Sequence, residues 1–126
     1  MAKLSEKQIE LLRKPNLAIV ATIRPDGTPQ LTPTWVDTDG EHVLVNTAEG
    51  RSKPRNLRRD PRVTVTVVDS DDPYDWVSVT GTAELTHDGA EEHIHHLSRK
   101  YRGQEYDSPK EPQRILVRIS PEVVRP

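Results

Sequence analysis

One stretch organises the whole chain: Asn46-Thr-Ala-Glu-Gly-Arg-Ser-Lys-Pro-Arg-Asn-Leu-Arg-Arg-Asp-Pro-Arg62. It continues an apolar strand, turns at Gly50 and enters a short basic helix, after which a second apolar strand begins at Val63. Six residues between positions 51 and 62 are Lys or Arg and one, Asp60, is acidic, although the chain has a net charge of −2. The start of a helix presents unpaired backbone N–H groups, so cations beside it favour an anion such as a phosphate. The alternative is a solvated basic helix face, which is the usual meaning of a charge run.

Composition narrows the class of protein. A length of 126 residues predicts a single domain over residues 1–126. Apolar content is 33% and there is no Phe, so the core is thin and pairing with a second copy is favoured. The absence of cysteine excludes disulfides and thiol chemistry. No signal-peptide core and no membrane-length apolar run occur, which predicts a cytoplasmic protein without a membrane partner. Charges are well mixed outside the basic stretch, so nucleic-acid binding is not indicated.

Hairpins dominate the predicted secondary structure. The predicted strands cover residues 17–23, 28–36, 41–47, 63–68, 76–85 and 114–119, with turns at 24–27 and 37–40 and a loop at 104–112. Pro29 and Pro33 predict edge or irregular pairing, and Gly81 predicts a bend or bulge. Six strands without a βαβ rhythm indicate a mainly β fold with short helices, namely a small antiparallel barrel.

Three helices are predicted. Ser5 and Gln8 form a capping box that opens the first, and Pro15 ends it. The second is the basic helix that Ser52 introduces. The third starts at His87 or Asp88 and ends at Gly103, with an apolar stripe that comprises Ala90, Ile94, Leu97 and Tyr101.

The chain lacks the usual constellations of catalysis. No Gly-rich nucleotide loop and no Gly-x-Ser-x-Gly motif occur, and paired carboxylates fall only in turns or on a helix surface. Catalytic residues therefore stay unknown, and in an enzyme a cofactor would supply the reactivity. The cluster Glu91-Glu-His-Ile-His-His96 is interpreted as a solvated helix face, so no metal site is predicted. Trp35 and Trp76 either fill the core or an interface or flank a flat ring.

Three segments carry a family resemblance: Gly27-Thr-Pro-Gln-Leu-Thr-Pro-Thr-Trp35, the stretch 45–63 that contains the basic helix, and Val79-Thr-Gly-Thr-Ala83. Together they resemble the split β-barrel flavin-binding superfamily. Within it the chain is most similar to the pyridoxamine 5′-phosphate oxidase-like oxidoreductases that use the deazaflavin coenzyme F-420, the B-type branch of the flavin/deazaflavin oxidoreductases. The resemblance implies a six-stranded, FMN-binding-like split β-barrel that forms a homodimer with two cofactor grooves between subunits.

The resemblance also implies roles for individual residues. The cofactor phosphate would be bound by Arg51, Ser52 and Lys53, with Thr47 and Ala48 beside it and Asn56 bracing the loop. The groove floor beneath the ring would consist of Gln30, Thr32 and Thr34. The other subunit would close the groove with Trp76, Val77 and Ser78. Pro33 departs from the pattern because it lacks a backbone donor in the strand that usually contacts the ring.

The implied activity is hydride transfer between F-420 and a small organic substrate such as an enone or a quinone-like compound, with water as the proton source. F-420 carries a phosphodiester and an oligoglutamate tail, and six cations exceed the need of one flavin phosphate, which favours F-420 over FMN. The alternatives are an FMN-dependent oxidase or reductase, and a non-catalytic carrier of F-420 or flavin. A nucleic-acid binder that uses the basic patch is a further alternative.

Overall fold

Seven strands and three helices make up the fold in the computed structural model, which describes residues 1–107 and 112–126. The strands are β1 (Ala18–Ile23), β2 (Pro29–Thr34), β3 (Asp37–Thr38), β4 (Val43–Ala48), β5 (Arg62–Val68), β6 (Trp76–Thr86) and β7 (Arg114–Arg125). The helices are α1 (Glu6–Arg13), α2 (Ser52–Arg59) and α3 (Ala90–Arg102). The strands form one curled sheet in the order β2-β1-β5-β6-β7-β4-β3, and every neighbouring pair is antiparallel.

The core lies inside the curl of the sheet. Alternate residues of each central strand point inward because side chains alternate across a strand. The buried strand residues include Val20, Val63, Val65, Val67, Val77, Val79, Ile115, Val117 and Ile119. Leu12 of α1 and Leu57 of α2 pack against them and are also fully buried. The inward faces of β5 and β7 therefore consist of every second residue of each strand.

Local signals in the sequence position the first and third helices correctly. Ser5 Oγ accepts a hydrogen bond from the Gln8 N–H at 3.1 Å, and Gln8 Oε1 accepts one from the Ser5 N–H at 2.8 Å, which confirms the capping box. The predicted apolar stripe of α3 is buried at Ala90, Ile94 and Leu97 and half-buried at Tyr101. This helix begins at Ala90 rather than at residue 87 or 88, because Gly89 adopts a left-handed conformation with φ 75° before it. Gly103, with φ 73°, ends it as predicted.

The prediction of six strands was one short. Asp37 and Thr38, predicted as the start of a turn, form β3 and pair with Leu44 and Val43. These two polar residues are buried because their side chains have partners. Thr38 Oγ1 donates to the His42 carbonyl at 2.6 Å, and His96 Nε2 lies 2.6 Å from Asp37 Oδ2. A buried polar pair beside a glycine has the composition of a turn, so the sequence pattern was misleading here.

Strand β7 is longer than predicted and reaches Arg125 instead of Ile119. The register between β6 and β7 shifts at Thr80/Gly81, where Gly81 pairs with Pro121. This shift confirms the bulge predicted at Gly81, and it lets the strand continue past a proline. The edge position of β2 is confirmed as well, since its only neighbour in the described sheet is β1.

Side-chain contacts from α3 fix it against α1 and the loop before β3. Tyr101 Oη donates to the Asn16 carbonyl at 2.5 Å and accepts from the Val36 N–H at 3.0 Å. Lys100 Nζ donates to the Leu12 carbonyl at 2.7 Å, and burial lowers the pKa of this amine to about 8. These contacts hold one wall of the cleft described below.

None of the helices in the described ranges has the length and apolar character needed to cross a membrane. The cytoplasmic location stays a prediction. The predicted loop 104–112 includes residues 108–111, which lie outside the described residues.

Candidate functional site

The turn between β4 and α2 gathers backbone donors at one point. Strand β4 ends at Ala48, Gly50 adopts φ +87°, and Arg51 occupies the N-cap position in an extended conformation. Ser52 is the first residue of the helix rather than its cap, and no side chain of the described residues caps α2. The N–H groups of Ser52 and Lys53 are therefore free to meet an anion.

Three of the six cations of the basic stretch are engaged within the protein. Arg58 donates from both guanidinium nitrogens to Glu49 at 2.7 and 2.8 Å, and the pKa of that carboxyl falls to about 2. Arg62 pairs with Asp60 at 2.7 Å. Arg59 donates to the Ile23 carbonyl at 2.5 Å. These arginines serve the turn and the helix, so they are less available to a ligand.

The other three, Arg51, Lys53 and Arg55, form no ion pair with a carboxylate anywhere in the described ranges 1–107 and 112–126. Burial lowers the pKa of the Lys53 amine, and the charge of nearby Arg51 lowers it further. A half-buried ammonium beside a second cation is electrostatically unfavourable unless an anion joins them. The start of α2 therefore has both the charge and the backbone geometry that an anion site requires.

Asn56 connects this helix to the sheet. It is 4% exposed, and its Nδ2 donates to Thr22 Oγ1 at 3.1 Å and to Gln30 Oε1 at 2.9 Å. Thr22 Oγ1 also donates to Gln30 Oε1 at 3.3 Å. One buried amide thus fixes α2, β1 and β2 relative to each other.

Two clefts adjoin the start of α2, one at Ser52 and the other at Arg51. The smaller, about 310 Å³, is lined by Arg24, Pro25, Gln30, Ser52, Arg55, Asn56 and Arg59. The larger, about 460 Å³, is lined by Leu17, Pro33, Thr34, Trp35, Asn46, Arg51, Ile94, Leu97, Arg102, Tyr106 and Arg114. Every second residue of β2 points to the same side of the strand, so one face carries the predicted floor residues Gln30, Thr32 and Thr34. Gln30 lines the small cleft and Thr34 lines the large one, so this face joins the two clefts. Thr32 Oγ1, between them, is buried and has no hydrogen-bond partner among the described residues.

The remaining predicted residues lie further from these clefts. Thr47 and Ala48 are buried in β4 with exposed fractions of 1% and 0%. Val77 packs in the core, so its side chain cannot reach a groove. Trp76 and Ser78 lie on β6, which β1 and β5 separate from β2. Within one protomer, residues 76–78 do not join the clefts, and their assignment to the groove of a partner stays a prediction.

Sequence reasoning missed a buried polar cluster at the large cleft. Asn46 Oδ1 accepts from Arg114 Nε at 2.9 Å, and Asn46 Nδ2 donates to the Ala90 carbonyl at 2.9 Å. The same Nδ2 lies 3.1 Å from His93 Nδ1. The sequence does show a cluster of histidines here. Its interpretation as a solvated helix face is wrong for His93. Burial lowers the pKa of His93 to about 4, so its ring is neutral.

Aromatic rings form one wall of the large cleft. Trp35 stacks on Tyr101 with ring centroids 5.3 Å apart and an interplanar angle of 12°. Tyr106 meets the Trp35 ring edge-on at 6.3 Å. One side of the Trp35 ring therefore packs against Tyr101, and another side faces the large cleft. In the part of the chain that the structure describes, no three His, Cys, Asp or Glu side chains come together as metal ligands.

Known proteins are similar to this chain in sequence and in structure. The family model described as pyridoxamine 5′-phosphate oxidase matches residues 4–126. The solved structure of an F-420 reductase is 31% identical, covers 97% of this chain and 98% of its own, and has a TM-score of 0.86. A conserved hypothetical protein from Mycobacterium tuberculosis is 33% identical with a TM-score of 0.74, over 97% of this chain and 83% of that chain.

A protein from Listeria innocua described as a pyridoxamine 5′-phosphate oxidase has a TM-score of 0.75 over 95% of this chain and 94% of its own. Its identity of 20% shows the fold alone. The predicted mainly β split-barrel fold is confirmed by these similarities.

Proposed function

Since the chain belongs to the pyridoxamine 5′-phosphate oxidase family, we propose that it is an oxidoreductase of the B-type deazaflavin branch that binds coenzyme F-420. It transfers a hydride between the deazaflavin and a small organic substrate. The observation that carries this proposal is the set of three cations at the start of α2 that lack carboxylate partners among the described residues. The 31% identity to an F-420 reductase supports the choice of cofactor.

The residues at the site fit a cofactor that combines a polyanion with a polar ring. Arg51, Lys53 and the free N–H groups of α2 suit a phosphodiester. Arg55, which lines the small cleft, is exposed and suits an acidic tail. Thr32 Oγ1, which is buried and has no hydrogen-bond partner within residues 1–107 and 112–126, would be satisfied by a ring heteroatom.

The chain supplies positioning rather than reactive groups. The deazaflavin, when bound, provides the hydride. Asn56 holds Gln30 and the face of β2 at a fixed distance from α2, so the phosphate and ring subsites keep one separation. No carboxylate and no histidine lines the large cleft in the described ranges. We therefore assign the proton to water.

We test the cofactor by titrating the purified protein with F-420 and with FMN. We expect F-420 fluorescence to be quenched on binding. We expect its affinity to exceed that of FMN by about tenfold or more, since three cations that have no carboxylate partner among the described residues meet a polyanion. Reduced F-420 should then be oxidised by a panel of enones and quinones. Tighter binding of FMN would favour the FMN-dependent enzyme, and binding without turnover would favour a carrier.

We also propose that the active form is a homodimer that buries the outer face of β1, β2, β5 and β6. Two apolar residues are exposed there, Ile19 at 43% and Leu31 at 61%. Leu17, which precedes β1 and also lines the large cleft, is 59% exposed. A hydroxyl ladder continues this face, with Thr64 Oγ1 2.9 Å from Thr80 Oγ1. A contiguous apolar surface next to polar strands is typical of a protein interface.

Ile19→Glu is expected to convert the dimer into a monomer. Ile19 lies on this face between Pro33 and Thr66, so a carboxylate there would be buried without a partner. Light scattering should show the mass falling to the 14.3 kDa of one chain. Tyr74→Glu is the matched control, because Tyr74 is 91% exposed in a turn outside this face. A wild-type protein of one-chain mass would refute the dimer.

A further inference from the structure

The large cleft contains a set of positive charges that the proposed cofactor site does not require. Of its lining residues, only Thr34 and Arg51 belong to that site. Beyond them lie two further arginines, Arg102 and Arg114. No acidic side chain lines the cleft in the described ranges, and neither Arg102 nor Arg114 pairs with a carboxylate there.

Arg114 is the unusual member of this set. It is 6% exposed, and a buried guanidinium is costly unless it is paired. Asn46 Oδ1 accepts from its Nε at 2.9 Å, and the Tyr106 ring lies 5.3 Å from its guanidinium carbon. Both contacts are with neutral groups, and within the described residues Glu91 acts on the Arg114 pKa only through its charge, without an ion pair that would neutralise this cation.

Asn46 acts as a positioning residue for Arg114. Its amide nitrogen is fixed by the Ala90 carbonyl at the start of α3 and by His93 Nδ1. The amide orientation is therefore set, and the oxygen must point to Arg114. Because Arg114 Nε is engaged, the two terminal nitrogens of the guanidinium form the edge that can meet a carboxylate in a bidentate way.

The rest of the cleft is apolar and flat-sided. Trp35 provides one ring face, and Ile94 and Leu97 provide aliphatic surface. A volume of about 460 Å³ is in the range of small-molecule sites. The combination suits a conjugated body stacked on the indole with an anionic group directed at the guanidinium.

We propose that the large cleft binds the substrate and selects a flat organic carboxylate, with Arg114 as the anion-binding residue and Asn46 as its positioning residue. The assignment of the ligand as substrate rests on the proposed function, since the cleft meets the cofactor site at Thr34 and Arg51. The binding preference itself does not depend on the cofactor. This separation allows the two ideas to be tested independently.

The test compares 2-naphthoate with 2-naphthamide, which share shape and differ in charge, by calorimetry with and without saturating F-420. We expect the carboxylate to bind about tenfold more tightly than the amide. Arg114→Gln should lower naphthoate affinity by about tenfold and leave naphthamide within about twofold. Arg118→Gln is the matched control on the same strand. It lies outside the cleft, 3.7 Å from Glu84, and should change neither affinity.

Two further measurements keep the result decisive. If Arg114→Gln does not fold, Arg102→Gln, at an exposed position of the same cleft, should reduce naphthoate binding selectively. Asn46→Asp should weaken naphthoate binding, because its carboxylate would pair with Arg114 and repel the ligand.

Equal affinities for naphthoate and naphthamide would overturn the inference while leaving the cofactor proposal intact. Displacement of F-420 by naphthoate would also overturn it, because the arginines would then belong to the cofactor site. Selective naphthoate binding by a protein that fails to bind F-420 would support the cleft assignment and refute the cofactor.

Discussion

Replacing Lys53 by alanine is expected to weaken F-420 binding by roughly one to two orders of magnitude. Lys53 is a half-buried cation whose pKa is lowered by burial and by Arg51. Its positive charge is therefore electrostatically unfavourable in the free protein, and a bound phosphodiester would stabilise it. A charge-assisted hydrogen bond in a partly desolvated site is stronger than one at the surface.

Fluorescence titration of F-420 measures this effect, and Arg62→Ala is its matched control. Arg62 belongs to the same basic stretch but pairs with Asp60 at 2.7 Å, so its loss should change affinity by less than about twofold. Lys53→Arg should retain part of the affinity, since the charge stays while the hydrogen-bond geometry changes. Wild-type affinity in Lys53→Ala would remove the anion site from the start of α2.

Replacing Gly81 by valine is expected to cost about 3 kcal/mol or more of the free energy of unfolding. A Cβ at Gly81 would lie 2.0 Å from the Ser120 carbonyl oxygen and 3.3 Å from the Pro121 Cα, which are backbone atoms that cannot rotate away. The strands β6 and β7 would have to separate where their register shifts. A domain of this size is only marginally stable, so this cost is a large fraction of its free energy of unfolding.

Urea unfolding followed by circular dichroism measures this cost, with Gly89→Ala as the control. Gly89 has φ +75°, but no heavy atom of the described residues lies within 4 Å of the position that its Cβ would take. That substitution should therefore carry only the backbone strain of about 1–2 kcal/mol. If Gly81→Val unfolds at the wild-type urea midpoint, β6 and β7 do not approach each other as closely at Gly81 as the structure shows.

Much of the fold could be predicted because its signals are local. Pro29 and Pro33 identified the edge strand, Gly81 identified the bulge, and Ser5 with Gln8 identified the start of α1. Each of these signals depends on the backbone of the residue itself or on a neighbour three positions away. Strand β3 escaped prediction because its polar residues are satisfied by partners that are distant in sequence, such as His96 for Asp37.

The same contrast between local signals and distant contacts separates the part of the candidate site that could be predicted from the part that could not. The turn proposed to bind an anion could be recognised because its cations, glycine and helix start are contiguous. The Asn46–Arg114 contact joins residues 68 positions apart, and the Asn46–His93 contact joins residues 47 positions apart. In the sequence Arg114 resembles any surface arginine at the start of a strand. Only the pairing of β4 with β7, which places Ala48 opposite Arg114, brings this residue to the cleft.

The two prolines of β2 also bear on aggregation. Proline cannot donate to the ladder with β1, so the nitrogens of Pro29 and Pro33 face away from the sheet. Leu31 lies two residues from each proline, so its backbone N–H also points away from β1. Since the prolines have no N–H, Leu31 provides the one donor at the free edge of β2. An incoming strand from another molecule would find one donor where a regular edge offers three, so open-ended stacking of sheets into fibrils is disfavoured along this edge. A chain with exposed Leu31 and Ile19 on its outer face can therefore present that face to a second copy without extending into a polymer.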